Sequence, residues 1–139
     1  MKTLGCLLAA TLLTACNSEP APLITVSEAR VIALPTSAAA YFTLINSGGR
    51  DRLLSVETAG VGRATLHETR FDGAIMRMRA IDEGIEIPAG GRVRLSASGR
   101  HVMIQNLATP LAAGSSLRLT LRFERQGAVE IAAPVGGPR

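Results

Sequence analysis

The chain of 139 residues has two cysteines, one tyrosine, three phenylalanines and no tryptophan, and its single lysine is Lys2. Each shortage excludes something. Cys6 and Cys16 both fall within the first sixteen residues, so the remainder offers neither a disulfide nor a thiolate ligand. That remainder must fold on its apolar core alone, which a single domain of about 110 residues can do, because it buries well over half the surface its unfolded form exposes. The cations beyond Lys2 are fourteen scattered arginines against eleven acidic residues. With so few aromatics there is neither a stacking platform nor a phosphate-tracking stripe, which excludes nucleic acid as a partner. The absence of lysine supports no functional conclusion. No G-x-S-x-G elbow is present, and Gly60-Val61-Gly62 is only a turn, without a phosphate-loop or dinucleotide fingerprint around it.

The longest apolar run, Leu4 to Leu13, follows Met1-Lys2 and is too short to span a bilayer. It reads as the h-region of an export signal. The run ends in Leu13-Thr14-Ala15-Cys16, which resembles the lipobox of bacterial lipoproteins. That resemblance implies cleavage before Cys16 and acylation of its thiol. The alternative is an ordinary secretory signal that contains a cysteine. The expected organisation is a signal over 1–16, a polar Pro-rich tether over 17–22, one domain over 23–134 and a loose tail over 135–139. Lipid chains then hold the protein on the periplasmic side of the cell envelope, with the anchor as its only membrane contact.

Apolar and polar residues alternate in many short segments. Leu117, Leu119, Leu121 and Phe123 alternate with Arg118, Thr120, Arg122 and Glu124, and Val93 and Leu95 with Arg92, Arg94 and Ser96. A period of two marks strands with one buried face. Turn signals at Asn46-Ser47-Gly48-Gly49, Asp72-Gly73, Pro88-Ala89-Gly90-Gly91, Ser98-Gly99 and Gln126-Gly127 separate them. The pattern predicts strands near 23–34, 39–46, 51–58, 62–69, 74–80, 84–87, 92–96, 101–106, 117–125 and 128–133. It shows no helical stripe, so the expected fold is an all-β Greek-key β-sandwich.

Both histidines, His67 and His101, share one window with every methionine except Met1: Met76, Met78 and Met103. Thioethers are soft ligands and imidazole is borderline, so a cluster of only these two types suits Cu(I). Asp72-Gly73 is a strong signal for a two-residue type I′ turn. With that turn Phe71 pairs with Ala74 and His67 falls directly opposite Met78, where Cβ atoms stand about 4.5–5.5 Å apart. His101 and Met103 share a strand face by period two. The expected site is His67, Met78, His101 and Met103. Met76 is a fifth ligand, a substitute, or packing beside the site. Taken singly, each of these residues is more simply core filling or a solvated side chain. The joint pattern outweighs that, because the rest of the domain holds neither residue type.

The residues then resemble the periplasmic copper chaperone family called PCuAC. The resemblance rests on Ala40-Tyr41-Phe42-Thr43-Leu44, Asn46-Ser47-Gly48-Gly49, Asp51-Arg52-Leu53, Leu66-His67-Glu68, Asp72-Gly73, Met76-Arg77-Met78-Arg79, Ile85 to Gly91 and His101-Val102-Met103. It implies a cupredoxin-like sandwich holding one Cu(I) per domain near its surface. It also implies delivery to a copper-accepting protein, such as the copper A subunit of cytochrome c oxidase. Three departures stand out. The spacer between Met78 and His101 is twenty-two residues, one longer than the family's. Thr69 stands where many members carry a further Met. The tail lacks a His- and Met-rich extension, which argues against a second copper site. The expected role is a monomeric metallochaperone and not an enzyme. An electron-transfer copper centre needs a Cys beside two His, and the domain has none. The competing reading is a β-sandwich lipoprotein that binds a protein partner and no metal.

Neutral thioethers compete with no proton, whereas imidazole ligates only when neutral, so copper affinity is expected to fall below about pH 6.

Overall fold

The alternating pattern folds into ten strands in a computed structural model that describes residues 18–137, with no helix among the described residues. In chain order they are β1 (Ile24–Ala33), β2 (Ala38–Asn46), β3 (Asp51–Glu57), β4 (Arg63–Asp72), β5 (Ile75–Ala80), β6 (Ile85–Ile87), β7 (Arg92–Arg94), β8 (Arg100–Gln105), β9 (Ser116–Phe123) and β10 (Gly127–Gly136). All ten predicted segments are strands. Two boundaries differ from expectation. β4 runs on to Asp72, so the β4–β5 hairpin is longer than its polar residues suggested. The presumed tail also begins late. Pro134 pairs with Ser116, Val135 pairs with Val31, and Val135 is buried.

One sheet runs β5-β4-β8-β2-β1, with β7 also on β2, and continues through a parallel β1–β10 pair into β10-β9-β3-β6. The sheet folds on itself there to make a cupredoxin-like sandwich. Its inner faces meet in a core of Val31, Phe42, Leu44, Leu53, Ile85, Ile87, Val102, Ile104, Leu119 and Leu121. Each is an apolar member of an alternating strand, so burial of one face selects the register of every pair. β1 adapts through a bulge between Ser27 and Arg30, where Glu28 takes φ +54° and accepts a hydrogen bond from the Thr43 hydroxyl.

The Asn46-Ser47-Gly48-Gly49 signal becomes a buried polar hub. Asn46 Oδ1 accepts from the N–H groups of Leu23 and Gly48, and its Nδ2 donates to the carbonyls of Gly49 and Pro88. All four of the amide's hydrogen-bonding positions are used, so its burial carries no unpaired polar group. Residues 20–23 lie against this loop so closely that a Cβ at Gly48 would collide with the Ala21 carbonyl. Asp51 locks the neighbouring turn by accepting from the backbone N–H groups of Arg52, Arg125 and Gln126.

Candidate metal centre

The soft donors lie on the outer face of β5, β4 and β8, three adjacent strands. His67 pairs directly with His101, and Thr65 with Met103. The two imidazoles stack with centroids 6.1 Å apart and planes 20° from parallel. Both rings are oriented by the residue two positions earlier in the chain, Thr65 on β4 and Gly99 in the turn before β8. His101 Nδ1 lies 3.1 Å from the Gly99 carbonyl, to which it donates, and His67 Nδ1 lies 3.3 Å from Thr65 Oγ1. Each ring therefore keeps Nε2 free, because a hydrogen bond at one ring nitrogen leaves the other for a metal. Thr65 is not singled out in the sequence, although period two places it on the face of His67, and Gly99 reads only as part of a turn.

The hairpin register differs from expectation. Asp72 pairs with Ile75, Thr69 with Met78 and His67 with Ala80. The two-residue loop is Gly73-Ala74, with Gly73 at φ +61° and Ala74 not left-handed. Glycine in the first central position with a normal second residue is the type II′ arrangement, which also matches strand twist. Met78 is thus a diagonal neighbour of His67, not its direct opposite. The slip is two residues, so parity is kept and Met78 stays on the face of His67. Diagonal neighbours stand about 7–8 Å apart, still within reach of a long thioether.

A gradient of exposure crosses the face. His101 is buried, Met103 and His67 are partly buried, and Met78 is 48% exposed. Met76 pairs with Phe71, one row farther from the histidines, and is 61% exposed. Met78 therefore lies one row nearer the histidines than Met76. Thr69 Oγ1, opposite Met78, is buried with no hydrogen-bond partner. The face continues over β2 and β1: Tyr41 lies 6.4 Å from the His101 ring, and Arg30 stacks 5.3 Å above Tyr41.

On the reverse side of the same strands, Glu68 pairs with Arg79 on β5 and Arg100 on β8, and Arg70 donates to it at 2.7 Å. The Arg70 guanidinium holds the Glu68 carboxyl below its ordinary value, with Arg100 and Arg79 adding to the effect and partial burial opposing it. One carboxylate thus ties together the three strands that carry the soft donors. Among the described residues no group of three or more His, Cys, Asp or Glu is placed to hold a metal. The donor set is therefore soft, without the oxygen ligands that Mg²⁺ or Ca²⁺ requires.

Fold and face together define a cupredoxin-like β-sandwich with His and Met gathered on one sheet. The family model described as "Putative lipoprotein LpqE-like" matches residues 24–135. The chain belongs to this LpqE-like, PCuAC-type copper chaperone family. The copper-bound PCuAC domain from PmoF2 superposes with a TM-score of 0.69 at 28% identity, covering 83% of this chain and 93% of that domain. The solution structure of CuI-DR1885 from Deinococcus radiodurans gives 0.63 at 27% identity, covering 88% of this chain and 83% of that one. "Putative lipoprotein Lxx21020" from Leifsonia xyli subsp. xyli is 32% identical over 98 residues, 70% of this chain and 59% of that protein. The chain spans between 50% and 59% of the length of the curated relatives it matches.

Proposed function

We propose that this protein is a metallochaperone that binds one Cu(I) through His67, Met78, His101 and Met103 and hands it to an extracytoplasmic acceptor such as the copper A centre of cytochrome c oxidase. The observation that carries this reading is the direct His67–His101 pair, with each Nδ1 engaged and a methionine beside each ring. Copper-bound PCuAC domains among the structural neighbours support it. Two imidazoles and two thioethers are neutral, so the ion keeps its full positive charge. Without a thiolate the site holds copper firmly enough to carry and loosely enough to release. The exposure gradient suits transfer: an incoming ligand displaces half-exposed Met78 first, while buried His101 lets go last. The domain acts as a carrier and not as an enzyme, because its two histidines serve as ligands. Cys16, outside the described residues, carries the lipid that keeps the carrier at the envelope surface and raises its effective concentration near a membrane-bound acceptor.

The test is titration of the mature chain with Cu(I) against a competing chelator, beside a His67→Ala/Met103→Ala variant. One tight equivalent that disappears in the variant is the expected result. Binding that survives both changes would return the cluster to packing and leave a protein-binding lipoprotein.

A further inference from the structure

The tip of the β4–β5 hairpin carries apolar side chains on both faces, with exposed Asp72 beside Ile75 as its one charged residue. Phe71 and Met76 pair on the ligand face, and Ile75 points from the other; they are 64%, 61% and 57% exposed. Directly behind them stand Arg70, Arg77 and Arg79, with Arg100 farther back. The only carboxylates among them are Asp72, 3.8 Å from Arg77, and Glu68, shared by Arg70, Arg79 and Arg100. Four arginines against two acids leave this collar cationic.

Topology sets where the tip points. Ile24 opposes Asn46, so β1 enters at the end of β2. β8 is antiparallel to both β2 and β4, so β2 and β4 run the same way. The end of β4 and the start of β1 therefore lie at one end of the sandwich. Residues 18–23 lead off that end, pinned where Ser47 N–H donates to the Leu23 carbonyl at 2.9 Å and Arg125 Nη2 to the Pro20 carbonyl at 3.0 Å. Leu34, 38% exposed, follows the far end of β1 and lies at the opposite pole.

We propose that this tip is a wedge for an anionic lipid surface: Phe71, Ile75 and Met76 enter the interfacial layer while Arg70, Arg77 and Arg79 meet the lipid phosphates. An apolar point with a basic collar is the chemistry that binds such an interface. Side chains on both faces of the hairpin suit a layer that surrounds it better than a protein surface pressed against one side. The orientation rests on the lipidated N-terminus, which leaves from the same end, so the wedge adds a second membrane contact to the anchor. Met78 follows Ile75 by three residues, so the soft-donor face would stand about 10 Å above the lipid. A membrane-held acceptor could reach it there.

The absence of tryptophan makes the test direct. The full lipidated chain, free of copper, carries Phe71→Trp or, at the opposite pole, Leu34→Trp, and is mixed with vesicles of phosphatidylcholine and phosphatidylglycerol bearing brominated acyl chains. The expected result is blue-shifted emission and several-fold stronger quenching at position 71 than at position 34. Adding Arg77→Glu and Arg79→Glu to Phe71→Trp should remove most of that quenching. A chain that floats with the vesicles but is quenched no more at 71 than at 34 overturns the wedge and leaves the anchor intact. Equal quenching with phosphatidylcholine alone overturns the anionic preference. A chain that does not float overturns both wedge and anchor. Because no copper is present, none of these results depends on metal binding.

Discussion

The two outer faces of the sandwich arise from the same alternating pattern and serve different ends. On β9, β10 and β3 the outward positions include charged pairs: Arg118 with Glu130 at 3.2 Å, and Arg122 with Glu57 at 2.6 Å. On β4, β5 and β8 they include imidazoles and thioethers and no such pair. The first face is solvated and interchangeable. The second gives up charge pairing to present soft donors, and its charged residues gather instead on the reverse of the hairpin, around Glu68. A strand's inner positions decide whether the domain folds, and its outer ones are free to decide what it does.

Substitutions should separate the faces sharply. Leu119→Ala, at a fully buried inner position, is expected to cost roughly 3 kcal/mol in urea unfolding, while the folded fraction keeps its copper. Asn46→Ala leaves the N–H groups of Leu23 and Gly48 and the Gly49 carbonyl without their partner in the hub, while the Pro88 carbonyl keeps the Gly91 N–H, and should cost about 2 kcal/mol or more, again with copper retention unchanged. His101→Ala reverses the pattern: Cu(I) affinity, measured by chelator competition, should fall on the order of tenfold or more, with a smaller change in the unfolding midpoint. Equal losses of stability and affinity in any one of these variants would erase the distinction between the faces.

The smallest effect belongs to the charged face. The Arg122 hydrogen bonds and charge hold Glu57 below its ordinary value of 4.5, with slight desolvation opposing them. A carboxylate with a depressed folded pKa contributes stability above the unfolded value and loses it as pH falls through the folded value. Glu57→Gln should therefore be slightly less stable than the parent at neutral pH. The two should converge as pH drops below about 4.5. A gap that persists in acid would assign the effect to packing. Met76→Leu, finally, should leave copper affinity unchanged, and a clear loss would move Met76 into the site.

The hairpin shows how far local signals reach. Asp72-Gly73 announces a tight turn, and the turn is there, but which two residues form its loop depends on whether glycine takes the first or the second central position. Both choices satisfy the local chemistry. Core burial does not choose between them, because β5 is exposed along its whole length, and the structure takes the loop that puts Gly73 in the first central position at φ +61°. Either loop has two residues, so the two registers differ by two and never by one, and Met78 keeps the face of His67 in both. Val135 was missed for a different reason. Val135 and the glycines after it read as a tail, and its place between β1 on one side and residues 114–115 on the other depends on segments distant in sequence.

By itself the sequence determined the alternation, the parity that keeps His67 with Met78 and His101 with Met103, and a donor set without thiolate or a carboxylate cluster. These are properties of neighbours along the chain, set by a two-residue period and by side-chain chemistry. The tertiary structure alone decided that β4 lies between β5 and β8, that the two imidazoles face each other, that exposure rises from His101 to Met78, and that the hairpin tip shares an end with the N-terminal residues. Those depend on pairings between strands distant in sequence, chosen by the joint burial of one core, and no local pattern encodes that choice.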